Sequence, residues 1–97
     1  MPAFVILTNF TDQGVRTVKD TVKRAEKFKE LAKQNGAAVK EIYWTLGQYD
    51  VVAIVDAPDV TSITALGLNL GMGGNVRTQT LPAFSADDMA KVLAKVT

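Results

Sequence analysis

Seven residues carry the groups best suited to recognise a ligand: Asn9, Tyr43, Trp44, Gly47, Tyr49, Asp50 and Arg77. Five of them crowd into the eight-residue stretch Tyr43-Trp44-Thr45-Leu46-Gly47-Gln48-Tyr49-Asp50. The chemistry on offer is hydrogen bonding, stacking, one carboxylate and one cation. The chain has no cysteine and no histidine. Disulfides, thiolate nucleophiles, Cys/His zinc sites and imidazole acid-base chemistry are therefore excluded. A reaction would have to rest on carboxylates, lysine, tyrosine, hydroxyls or a borrowed cofactor, and the residues themselves imply neither a cofactor nor a metal.

Each residue also has a structural reading. Gly47 supplies a positive φ in a turn, or else offers its backbone N–H to a ligand. Tyr49 and Asp50 fix a ligand or a neighbouring subunit, and Asp50 can equally bond its own turn backbone. Tyr43 and Trp44 are neighbours on a strand and point to opposite faces. Trp44 shares its side with Ile42 and Leu46, which suits a core or subunit interface first and a pocket wall second. Arg77 is placed to meet an anion or to pair with an acidic residue across an interface.

The elements that position these residues follow from hydrophobic periodicity. Ala3–Asn9 is a strand apolar on both faces. Thr11 and Asp12 open a helix whose stripe of Val15, Val18, Val22, Ala25, Phe28 and Leu31/Ala32 runs to Asn35-Gly36. The β-branched residues around Asp20 predict a break or kink there. Val39–Leu46 alternates as a second strand, a tight turn occupies Gly47–Asp50, and Val51–Val55 is an all-apolar third strand. Asp59 caps a helix carrying Val60, Ile63, Leu66 and Leu70, which dissolves in Gly71-Met72-Gly73-Gly74. This glycine cluster lacks the Lys-Ser/Thr of a phosphate loop and reads as a flexible helix end or lid. Asn75–Ala83 forms an edge strand, with Pro82 near its end. Ser85 caps a last helix bearing Met89, Val92, Leu93 and Val96 on one face.

A βαββαβ order with right-handed crossovers predicts an α+β, ferredoxin-like sheet with its first and third strands central. Two helices cover one face of such a sheet. Val5, Leu7, Val51, Val52, Ile54 and Val55 nonetheless put large apolar groups on both faces. A bare apolar face is larger than monomers usually expose, so a partner sheet is expected. The chain should pair with itself as a dimeric α/β barrel or a larger ring. Asn9, at the end of a central strand, then lies at the barrel mouth.

The 97 residues make one domain with 47% hydrophobic and 22% charged residues and a net charge of +1. Seven basic residues on the first helix interleave with Asp20, Glu26 and Glu30, a solvated outer face rather than a nucleic-acid surface. No segment is long and apolar enough for a membrane span or a signal peptide, so the cytoplasm is the expected compartment.

The chain resembles the GYD-domain proteins of the dimeric α/β-barrel superfamily. The resemblance rests on Thr11-Asp12-Gln13-Gly14, Lys23-Arg24-Ala25-Glu26, the hairpin Tyr43–Asp50, Ala57-Pro58-Asp59 and Gly74-Asn75-Val76-Arg77-Thr78. It spans nearly the whole chain and departs at Val22, where similar sequences often carry proline. The hairpin and last strand also look like the effector-binding domain of Lrp/AsnC regulators, which binds amino acids between subunits. This chain has no room for a DNA-reading helix-turn-helix. These resemblances imply fold and oligomeric habit, and a homo-oligomer binding a small molecule in the barrel or between subunits. The alternative they imply is a cofactor-independent oxygenase or isomerase using Asn9, Tyr43, Trp44 and Arg77.

Overall fold

The computed structural model describes residues 1–97. Strands β1 (Ala3–Phe10), β2 (Ala38–Trp44), β3 (Val51–Asp56) and β4 (Val76–Ala83) form one antiparallel sheet in the order β2-β3-β1-β4. The two all-apolar strands thus sit at the centre and the two more polar strands at the edges, as expected. Helices α1 (Asp12–Arg16), α2 (Thr21–Gln34) and α3 (Val60–Met72) connect them, and α4 (Ala86–Leu93) follows β4.

The expected break around Asp20 is present without a proline. α1 ends at Arg16, and one turn of 3-10 helix over Val18–Asp20 separates it from α2. Thr17, Val18, Thr21 and Val22 all restrict χ1 in a helix, which weakens its continuation here. Arg24 compensates the interrupted ladder: its Nη1 donates to the Thr17 carbonyl at 2.9 Å and its Nη2 to the Gly14 carbonyl at 3.2 Å. A cation at these last carbonyls also complements the helix dipole. The following helix ends at Asn35-Gly36, where Gly36 adopts φ +76°.

Strand residues that pair across the sheet share a face. Phe4, Ile6 and Thr8 pair with Val55, Ala53 and Val51, and this face is buried beneath the helices. Ala25, Phe28 and Ala32 from α2 and Ile63 and Leu66 from α3 complete the core. Alanines at 32, 37, 53 and 57 let helix and strand backbones approach closely.

Strand β2 is less regular than its alternation suggests. The register shifts between Val39 and Glu41, so that Lys40 is bulged out. Without that extra residue Val39 and Ile42 would face opposite sides; with it, both pack against the core. The strand also ends at Trp44 rather than Leu46. The connection is therefore a six-residue loop, Thr45–Asp50, in place of the tight four-residue turn expected. Leu46 lies in that loop, fully exposed.

The second face of the sheet is open. It carries Val5, Leu7, Asn9, Val52, Ile54, Tyr43, Arg77, Gln79 and Leu81 by strand register. Val5, Leu7, Val52 and Ile54 are half-buried, and none of the nine is buried. The amphipathic α4 likewise buries no residue, leaving Met89, Val92 and Leu93 exposed; it ends at Leu93, so Val96, expected on its apolar face, lies beyond it and is also exposed. The chain presents 6641 Å² of accessible surface and extends 51 × 30 × 18 Å. No helix is long and apolar enough to cross a membrane.

Candidate functional site

The loop Thr45–Asp50 is held at both ends. The Thr45 N–H donates to the Asp50 carbonyl at 2.8 Å, and its hydroxyl donates to the Tyr49 carbonyl at 2.6 Å. Asp50 is committed to the backbone: its Oδ2 accepts from the Phe10 N–H at 2.9 Å, while its own N–H donates to the Thr8 carbonyl at 2.9 Å. The carboxylate thereby extends the β1–β3 ladder beyond its last regular pair. Tyr49 reaches across the sheet and donates its hydroxyl to Gln79 Oε1 on β4 at 3.1 Å. Gly47 is exposed with φ +111°, and a side chain there would meet nothing within 4 Å. Its role is conformational, since L-residues rarely adopt that φ.

The remaining candidates are divided by the sheet. Asn9 and Arg77 are register partners on the open face, where Arg77 makes no ion pair and Asn9 is half-buried. Tyr43 shares that face and donates its hydroxyl to Glu41 Oε2 at 2.9 Å. This hydrogen bond, reinforced by the carboxylate's charge, raises the phenol pKa above 10.0. Trp44 points the other way and donates its indole N–H to Thr21 Oγ1 on α2 at 3.0 Å. Asn9, Tyr43 and Arg77 therefore lie on the face opposite Trp44, and the four do not form one pocket.

On the helix side a half-open cavity of about 290 Å³ lies between α2, the C-terminal end of α3 and the sheet. Ile6, Phe28, Leu31, Ile42, Val51 and Ala53 contribute apolar walls, and Trp44, Thr8, Arg24, Lys27 and Asn69 also line it. The sequence reading missed Thr8, Arg24 and Lys27. Thr8 looked like one more strand residue, and the two cations were read with the solvated outer face of the helix. Only the sheet register and the break before α2 bring them together.

A second unread feature locks the rim of this region. The Thr11 hydroxyl accepts from the Gly14 N–H at 3.1 Å and donates to the Gly74 carbonyl at 2.6 Å. Gln13 Nε2 donates to the Gly73 carbonyl and to Asn75 Oδ1, at 3.1 and 3.0 Å. The Thr11 N–H donates to the Asn75 carbonyl at 3.0 Å. The glycine cluster expected to be a flexible end is thus clamped to the start of α1. Gly14 is buried there, and a Cβ on it would overlap the Asn75 carbonyl oxygen.

No group of three or more acidic residues is gathered as a metal site. What the geometry defines is an α+β protein with an apolar sheet face, a bonded hairpin and a cavity under its helices. The GYD-domain family model matches residues 4–93, and the chain belongs to the GYD-domain family. It is 37% identical over 90 residues, 92% of this chain and 95% of the relative, to a protein of Thermus thermophilus. That protein is named a glutamine synthetase and cystathionine beta-lyase binding protein. No solved structure matches the chain.

Proposed function

We propose that this protein is a homo-oligomeric protein-binding module, which self-associates through the open face of its sheet and engages a metabolic enzyme as its partner. The observation that carries the first half is the excess of surface. A compact monomer of this mass exposes about 5,400 Å², whereas this chain exposes 6641 Å². The excess, about 1,200 Å², is larger than the roughly 800 Å² that each partner contributes to a standard interface. Two apolar regions account for its character: the band of Val5, Leu7, Val52, Ile54 and Leu81, and the uncovered face of α4. Face-to-face pairing of two such sheets would form the expected dimeric barrel.

The second half is supported by the name of the Thermus relative. We extend to this chain the binding of glutamine synthetase and of cystathionine beta-lyase, as a cytoplasmic interaction. The enzyme alternative is weakened by the division of Asn9, Tyr43 and Arg77 from Trp44. A ligand on the open face is a second reading, favoured by the juxtaposition of Arg77, which lacks an acidic partner, with Asn9.

The test combines light scattering with a binding titration. The protein at about 100 µM should scatter as a multimer, and Ile54→Lys, at the centre of the open face, should convert it to monomer. Purified glutamine synthetase and cystathionine beta-lyase of the source organism, titrated by calorimetry, should each bind the wild-type multimer. A wild-type monomer would overturn the assembly, and no heat with either enzyme would overturn the partner.

A further inference from the structure

The helix-side cavity is separated from the open face by the whole thickness of the sheet, and nothing above assigns it a role. We propose that it binds a small amphipathic anion, an apolar carboxylic acid, with its tail among the core side chains and its carboxylate at Arg24 and Lys27.

Three observations carry this. The cavity has about 290 Å³ of space, just under the range found for drug-sized ligand sites, about 300–1,000 Å³, which suits a small ligand. Its walls are mainly apolar, which suits a hydrocarbon or aromatic tail. Its charge is one-sided: Arg24 and Lys27 line it, and no aspartate or glutamate does. Neither cation forms an ion pair within the chain.

The donor inventory is also incomplete. A guanidinium has five N–H donors. Arg24 spends three of them, two from Nη1 on Thr17 and one from Nη2 on Gly14. Its Nε–H and second Nη2–H are unspent, and a carboxylate takes two such donors side by side. Deeper in the cavity, Thr8 is 8% exposed, and its hydroxyl makes no hydrogen bond within the chain. No buried side-chain polar atom of the protein is sealed from solvent without a partner. The Thr8 hydroxyl therefore faces the cavity, where a ligand oxygen can reach it.

The charge pattern also decides the ligand class. A zwitterionic amino acid would place its ammonium among two cations with no carboxylate to receive it. A monoanion without an amine leaves no such group unpaired. Trp44, the single tryptophan of the chain, lines the cavity and reports on its contents.

The test titrates decanoate, decanol and decylamine, each below its aggregation threshold, into the full-length protein while Trp44 emission is recorded. Decanoate should give a saturable change, with decylamine and decanol at least about tenfold weaker, as a charge-assisted contact requires. Lys27→Gln should weaken decanoate by about tenfold. The near-isosteric Thr8→Val should weaken it less, with far-UV circular dichroism confirming that both variants fold. Ile54→Lys should leave decanoate affinity unchanged, which separates the cavity from adsorption on the open face. The proposal is overturned by no saturable change with decanoate, by equal affinity for decanol or decylamine, by an unchanged affinity in Lys27→Gln, or by its loss in Ile54→Lys.

Discussion

Gly14→Ala sets two physical effects of opposite sign against each other. Gly14 lies inside α1, where alanine is the better helix former by about 1 kcal/mol. Propensity alone therefore predicts a more stable protein. The structure predicts the reverse. A Cβ at this position overlaps the Asn75 carbonyl oxygen and lies 2.9 Å from its carbonyl carbon, where ordinary contact begins at 3.4 Å. Both atoms belong to the main chain, so no side-chain rotation relieves the overlap. The start of α1 and the Gly73–Asn75 segment must separate by about an ångström or more to clear the carbonyl oxygen. That motion strains the Thr11 N–H to Asn75 bond at 3.0 Å and the two Gln13 bonds at 3.1 and 3.0 Å. Overpacking of this kind costs about 1–3 kcal/mol, and each weakened hydrogen bond up to about 1 kcal/mol. After subtracting the propensity gain, a loss of up to about 5 kcal/mol is expected, centred on about 2–3 kcal/mol, a large share of the ~5–15 kcal/mol typical of a domain. Urea unfolding followed at 222 nm, at one fixed protein concentration, should show a lower midpoint with an unchanged slope. A variant as stable as the parent would refute the close approach. Gly47→Ala provides the contrast, because only its φ of +111° is strained and its surroundings are empty; it should cost about 1–2 kcal/mol.

Asp50→Ala removes the acceptor of the Phe10 N–H and should destabilise the protein by about 1–3 kcal/mol; a neutral effect on urea unfolding would return Asp50 to the pool of free ligand-binding groups. Asp59 Oδ1 accepts from the Ser62 N–H at 2.8 Å and its pKa is held below 3.8 by that bond. Since the folded-state pKa is the lower one, this stabilisation is present above pH 3.8 and is lost as pH falls through the folded value. Asp59→Asn should flatten the stability-versus-pH curve in that acid window, and identical curves would contradict the cap. Tyr43 is raised above 10.0 by Glu41, so its contribution is present below pH 10 and disappears as pH rises through the folded pKa. Glu41→Gln should bring its phenolate absorbance at about 295 nm in at lower pH, and an unmoved titration would refute the pairing.

The order of strands, the four helical segments and the incompletely covered sheet were legible because each rests on periodicity or a local cap. Thr11, Asp59 and Ser85 accept from the N–H groups three residues on, as their positions before apolar stripes predict. What was not legible depends on contacts distant in sequence. The bulge at Lys40 changes which residues share a face, and nothing in Val39–Trp44 marks it except two apolar residues spaced by three. The Thr11–Gly14 and Gly73–Asn75 segments lie some 60 positions apart. Their interlock turned an expected lid into a clamp. The hairpin presented polar residues close together in sequence, which looks like a site, yet Tyr49 and Asp50 find partners on β4 and β1.

Tyr43 and Trp44 show why a polar cluster in sequence became two surfaces in space. Consecutive strand residues point to opposite faces, so the sheet that joins these two aromatics also insulates them. Tyr43 belongs with Val52 and Ile54 on the face left open by the chain's own helices; Trp44 belongs with Val51 and Thr21 at the cavity beneath them. The loop between β2 and β3 cannot bring the two together, because Asp50 fixes it to β1 and Tyr49 to β4. The proposed assembly and the proposed ligand capture are therefore separable by substitutions at adjacent positions. Ile6 and Leu7 of β1 face the cavity and the open surface in turn. A ligand that fills the existing space beside Ile6 and Ala53 leaves the backbone of the central strands in place, so occupancy of the cavity and the proposed self-association through the open face are expected to be independent.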